Sequence, residues 1–290
     1  MKSIRALLAF ITLAVFAVGA RAQSDAAADR PFVRGGVGDK PFITRAGRTS
    51  LGGYTEAHFR YERVEGVTDE LTFVPKRINL FTFTPVSDRV RVVSEIEFEE
   101  KGEEIIIELA TVDLDLLDAL SFRAGMLLSP IGRFNLAHDS PANELTDRPL
   151  MSTELVGVAL SEPGMGFFGA IYPSPASRVT YELYAVNGFN DGVVTGAAEG
   201  TRLPAGKGTI EDNNTTPSVV GRVAYSPGPS VEVGVSGHYG QYNVSVLEGL
   251  EVDESRNLGL FVVDAEATVG RATLRGEFAT ASVDLPEGFV

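Results

Sequence analysis

Between Arg89 and Glu99 the chain reads Arg-Val-Arg-Val-Val-Ser-Glu-Ile-Glu-Phe-Glu. As a β-strand this run sets Val90, Val92, Ile96 and Phe98 on one face and Arg89, Arg91, Glu95, Glu97 and Glu99 on the other, because successive side chains point to opposite sides. Val93 and Ser94 interrupt the alternation. A single strand of this kind also suits a soluble sheet with one wet face. Its neighbours along the chain change the reading, because the same period recurs again and again.

Alternation begins at Leu51, where Thr55, Ala57, Phe59 and Tyr61 oppose Glu56, His58, Arg60 and Glu62. A less regular strand follows around Phe73–Phe83, with Ile78 and Leu80 against Arg77 and Asn79. Pro85-Val86-Ser87-Asp88 then supplies turn residues. Strands are predicted over about 104–115 and through Leu120, Phe122, Ala124, Met126 and Leu128, whose other face holds Ser121, Arg123 and Gly125. A long loop from Ser129 to about Pro163 leads to a strand through Phe167 and Ile171. Beyond the turn at Pro173–Ser177, Val179, Tyr181, Leu183 and Ala185 oppose Arg178, Thr180, Glu182 and Tyr184. A Gly- and Asn-rich loop (Asn190–Pro217) separates these from strands over Val219–Tyr225, Val231–Tyr242, Leu258–Val269 and Ala272–Ser282.

The count is eleven strands with five tight connections, near residues 86, 117, 175, 228 and 270, each lying between longer ones. Tight turns on one side and long loops on the other are the arrangement of outer-membrane barrels, which face lipid outside and water inside. The fold class expected is therefore an all-β antiparallel transmembrane barrel. Apart from the N-terminus, no apolar run approaches the roughly 18–20 residues that a spanning helix needs. A closed barrel is the other way to satisfy every backbone group in lipid. Eleven is odd, and the edge of the last strand would lack a partner, so the sequence reads as a C-terminally truncated piece of a longer barrel.

The N-terminus adds a compartment. Lys2 and Arg5 precede an apolar run from Ala6 to Val18 and the small-x-small pattern Ala20-Arg21-Ala22, which reads as a secretory signal peptide over residues 1–22. Residues 23–50 have no sustained period and are expected to be a periplasmic lead-in, with the partial barrel over 51–290. The net charge of −14 becomes more negative when the signal leaves, which argues against nucleic acid as a partner. There is no cysteine, and barrel stability needs none.

Three stretches resemble the long loop region of bacterial porins related to the phosphate-selective porin O and P group. They are Ser129-Pro130-Ile131-Gly132-Arg133-Phe134-Asn135, the run from His138 to Pro149 with its Asn-Glu-Leu-Thr-Asp-Arg-Pro segment, and Leu160-Ser161-Glu162-Pro163-Gly164. The resemblance covers about Gly53 to Phe189. It implies a homotrimeric channel of about 16 strands in outer-membrane lipid. The selectivity in the family's name does not carry over. Phosphate-selective members line the pore with arrays of lysine and arginine, whereas beyond the signal peptide this chain has Lys40, Lys76, Lys101 and Lys207 as its lysines, and its lumen positions mix arginine with glutamate.

A wet channel selects at its narrowest ring of charges. The expected constriction is the loop Ser129–Pro163 folded inward, with Arg133, Asp139, Glu144, Asp147 and Arg148 facing Arg89, Arg91, Glu95, Glu97 and Arg123 on the wall. The function expected is passive diffusion of small hydrophilic or ionic solutes. No enzyme, cofactor or metal is implied: His58, His138 and His238 lie in no Gly-x-Ser-x-Gly or His-Glu-x-x-His context, and Asp113, Asp115 and Asp118 do not have the spacing of a calcium loop. The alternatives are a secreted or surface-exposed all-β binding or structural protein and, further off, a barrel hydrolase using His138 or His58 with a serine.

Overall fold

A computed structural model describes residues 42–99, 102–143, 145–195 and 203–289. The signal peptide, most of the lead-in and Glu144 lie outside the described residues. One antiparallel sheet of twelve strands dominates, in the order in which the chain lays them down. They are β1 (Phe42–Ala46), β2 (Thr49–Val64), β3 (Val67–Pro85), β4 (Val90–Glu99), β5 (Glu104–Leu117), β6 (Leu120–Leu128), β7 (Ser161–Ile171), β8 (Arg178–Val186), β9 (Ser218–Gly228), β10 (Val231–Gln241), β13 (Asn257–Val269) and β14 (Ala272–Val283). A separate hairpin, β11 (Val246–Leu247) and β12 (Leu250–Glu251), sits in the connection after β10. Among the described residues no pairing joins β1 to β14.

The eleven strands expected from the alternation are all present, and β1 adds a twelfth inside the segment read as lead-in. The five tight connections fall where turn chemistry put them. On the other side the first two connections are modest, as expected. There β2 and β3 extend to 16 and 19 residues and meet through Glu65-Gly66 alone. Both of these residues have positive φ (51° and 84°), the geometry a two-residue hairpin turn demands.

Burial is inverted relative to a soluble sheet. Phe59, Leu183 and Phe278 are 58, 57 and 64% exposed, while Asn79, Glu95, Asp113 and Asp264 are at most 1% exposed. The charged face is the covered one. In water this would leave a broad apolar surface unexplained; in a bilayer the apolar face meets acyl chains and the polar face lines the interior. Among the described residues no helix is long and apolar enough to cross a membrane. The sheet is the wall of a transmembrane β-barrel.

Registration puts opposite charges directly across from each other on the inner face. Glu56 faces Arg77, Arg77 faces Glu99, Arg91 faces Asp113, Asp113 faces Arg123, and Glu266 faces Arg275. Cross-strand pairs of this kind are the unit that fixes register. Arg222 on β9 instead reaches past β10 to Asp264 on β13, 2.6 Å away. It can do so because Gly234 of β10 lies between them: a Cβ there would sit 2.4 Å from the Arg222 guanidinium and 2.6 Å from the Asp264 carboxylate.

The interior is not wet throughout. Toward the long-loop ends of β8, β9 and β13 the inner face turns apolar, with Val186, Val220, Leu258, Leu260 and Val262 buried. Ile131, Val156 and Leu160 of the 129–160 connection and Phe189, Val193 and Leu203 of the next loop cover them. This cluster is the hydrophobic core, and it lies inside the barrel rather than outside it.

Candidate functional site: the loop across the interior

The connection from Ser129 to Leu160 folds inward and spans the interior. Its base is fixed by Asn135, whose amide donates to Ser129 O (2.7 Å) and whose Oδ1 accepts from Leu160 N–H (2.9 Å). Ser129 Oγ donates to Glu162, and the same carboxylate lies 3.1 Å from His238 Nε2. A short helix, Gly132–Leu136, follows. Its first N–H groups have no partner within the helix, and the wall supplies acceptors. Gly132 N–H donates to Ser236 Oγ of β10 (2.9 Å), and Phe134 N–H donates to Glu277 Oε1 of β14 (2.6 Å). A carboxylate at a helix N-terminus also suits the local dipole. Gly132 has φ of 69°, and a Cβ there would lie 3.2 Å from the Glu277 carboxylate, so both conformation and space favour glycine.

The far side of the loop reaches the other end of the sheet. His138 Nε2 lies 3.2 Å from Glu108 Oε2 of β5, and Ser140 Oγ donates to Glu56 Oε2 of β2 at 2.5 Å. The loop is thus tied to β2 and β5 at one end and to β10, β13 and β14 at the other.

The candidate pore residues separate into groups. Arg133 faces Glu266 of β13, with Nη2 2.8 Å from Oε2, and not the β4 positions expected. Asp139 is buried in the turn before Ser140, and Asp147 is exposed. Arg148 turns back on its own loop, donating to Val158 O at 2.8 Å. Asp147 and Arg148 line a cleft of about 650 Å³ together with Glu56, His58, Arg77 and His138. On the wall, Arg91 is bidentate with Asp115 (2.5 and 2.7 Å). Arg123 is bidentate with Asp113 (2.7 and 2.8 Å) and places its guanidinium 4.3 Å from the centre of the Phe168 ring. Glu97 accepts from Arg77 Nη1 at 2.9 Å, and Glu95 accepts from Asn79 Nδ2 at 2.9 Å. Arg89 is exposed in the turn ahead of β4, at the rim rather than on the wall.

Sequence reasoning missed Glu108 and Ser236 as anchors of the loop. Lys207, in the loop after β8, was also passed over. Its Nζ donates to Gly157 O at 2.9 Å, and burial, with the Arg148 charge adding to it, pushes its ammonium below the usual lysine range. Of the residues named for the hydrolase alternative, His58 and Ser140 each bind Glu56, and His138 lies against Asn135 O and Glu108.

No family profile matches the chain. An uncharacterised protein of Aquifex aeolicus (strain VF5) is 25% identical over 219 residues, covering 72% of this chain. The chain spans about half that relative's length, 46%. Among solved structures, outer-membrane expressed OmpT of Vibrio cholerae is similar at 12% identity and a TM-score of 0.49, over 85% of this chain and 68% of that one. The outer membrane channel DcaP of Acinetobacter baumannii is similar at 14% identity and a TM-score of 0.36, over 84% and 82%. The inside-out sheet itself, and not these likenesses, makes the chain a transmembrane β-barrel wall.

Proposed function

We propose that the protein is an outer-membrane porin, a passive channel for small hydrophilic or ionic solutes whose narrowest passage runs beside the inward loop 129–160. The observation that carries this reading is the loop's double attachment. A segment held to β2 and β5 on one side and to β10, β13 and β14 on the other crosses a charge-lined interior and narrows it. The charges bordering the passage are mixed, with Arg133, Arg91 and Arg123 set among Glu95, Glu97 and Glu266, which favours weak ion preference over a phosphate site. In the same reading the channel assembles as a homotrimer in outer-membrane lipid.

Reconstituting the full-length protein into planar bilayers tests this. Discrete conductance steps with permeability to both anions and cations are expected. Membranes that stay silent with correctly inserted protein would remove the channel reading, and recovery of the protein in the aqueous fraction without detergent would return it to the surface-protein alternative.

A further inference from the structure

We infer that Glu95, Glu108 and His138 form a site for a divalent transition ion of the zinc class, which clips the inward loop to the wall. One side chain comes from β4, one from β5 and one from the loop, and all three are buried. Their ligand-type atoms lie within 4.8 Å of one another. Zinc holds nitrogen and carboxylate oxygen at about 2.0–2.2 Å, so small rotations of two flexible glutamates close the set around one ion.

Two independent features point to a cation there. The first is the histidine's hydrogen bonding. Nδ1 lies 2.8 Å from Asn135 O, which can only accept, so Nδ1 carries the proton. Nε2 faces a carboxylate oxygen 3.2 Å away, so either a second ring proton or a cation must lie between the two atoms. A metal held there satisfies both atoms, and a ligating histidine whose other N–H is held by a backbone carbonyl is the usual outer-shell arrangement. The second is Asn79. It is fully buried, its amide nitrogen is directed at Glu95 Oε1 and Glu97 Oε2, and its Oδ1 has no hydrogen-bond partner. Turning the amide over would give up the bonds from its nitrogen to Glu95 and Glu97 and offer that oxygen to an ion held by Glu95 as a fourth ligand. One imidazole with carboxylate and amide oxygens selects a borderline ion over magnesium or calcium, which avoid nitrogen.

The test is zinc titration by calorimetry on the full-length protein, stripped with chelator in detergent, alongside crystals soaked in zinc and measured at its absorption edge. One ion per chain is expected, with an anomalous peak among Glu95, Glu108 and His138. Affinity should fall by about tenfold or more in His138→Ala and in Glu108→Gln, and stay unchanged in Glu182→Gln, a buried inner-face carboxylate on β8. Absence of stoichiometric binding, equal binding by the two site variants, or an anomalous peak elsewhere overturns the site and leaves a plain imidazolium–carboxylate pair. The crystal measurement needs no variant to fold, and neither readout depends on conductance, so the channel reading stands or falls separately.

Discussion

Arg133, on a loop that leaves the sheet at β6, places its guanidinium 2.8 Å from the carboxylate of Glu266 on β13, which also accepts from Arg275 at 2.6 Å. One carboxylate is shared by two arginines, one from the wall and one from the loop. Removing the loop arginine leaves Glu266 still paired with Arg275, so the fold should tolerate the change while, on the channel reading proposed above, the passage loses a positive charge.

Arg133→Gln is therefore expected to shift selectivity toward cations, lowering the anion-to-cation permeability ratio roughly twofold, as for a charge worth a few tenths of a kcal/mol in hydrated surroundings. Reversal potentials in asymmetric potassium chloride read this directly. An unchanged potential in a variant that inserts normally would mean that the narrow passage lies elsewhere.

Gly234→Ala should part Arg222 from Asp264. The new methyl meets only flexible side-chain ends, so the backbone need not move, but the buried pair loses its contact. A loss of roughly 1–3 kcal/mol is expected, kept below that of an isolated buried pair because Arg222 still has Glu232 at 3.5 Å. Urea unfolding of the refolded protein measures it. In an Asp264→Ala background the same substitution should add little, and full additivity would refute the through-glycine contact.

Leu183 and Glu182 are adjacent on β8 and face opposite media. Leu183→Arg places a charge on the lipid side and should cost roughly 2–4 kcal/mol if the position lies near the bilayer midplane. A soluble sheet would accept the same arginine on its exposed face almost without effect, so the stability of this variant separates the two kinds of protein.

In the loop after β12, Arg256 donates to both carboxylate oxygens of Asp253, and the Glu254 N–H donates to the same carboxylate. These hydrogen bonds, the one from Arg256 foremost, bring the Asp253 carboxyl down to about 2. The folded value is below the unfolded one, so the ordering that this pair gives the loop is present above the ordinary aspartate range and is lost as pH falls through about 2. Amide hydrogen exchange at Glu254 and Arg256 should stay slow at pH 3 and quicken near pH 2. Quickening already at pH 4 would contradict the pairing.

The wall was legible because lipid imposes a strict period of two, and Ile78, Leu80, Phe278 and their opposite neighbours keep it. Glu108 was not. The pairing of β4 with β5 slips between Glu95 and Ile96, so two residues of β5 oppose one and the alternation after Ile107 changes phase. A reading by parity cannot see such a bulge. The loop was found as a loop, from its length and turn residues, yet its contacts with Glu266, Glu277 and Ser236 join residues more than a hundred positions apart. No local spacing encodes such a meeting, and the same holds for the union of Glu95, Glu108 and His138.

The loop's two sets of ties also order events during biogenesis. Residues 129–160 are synthesised before β10, β13 and β14, yet half of their anchors belong to those strands. The segment must wait, unseated, until the later hairpins have been laid down, and contacts of such long sequence separation form slowly. Seating of the loop therefore follows the pairing of β13 with β14, whose Glu266 and Glu277 hold it.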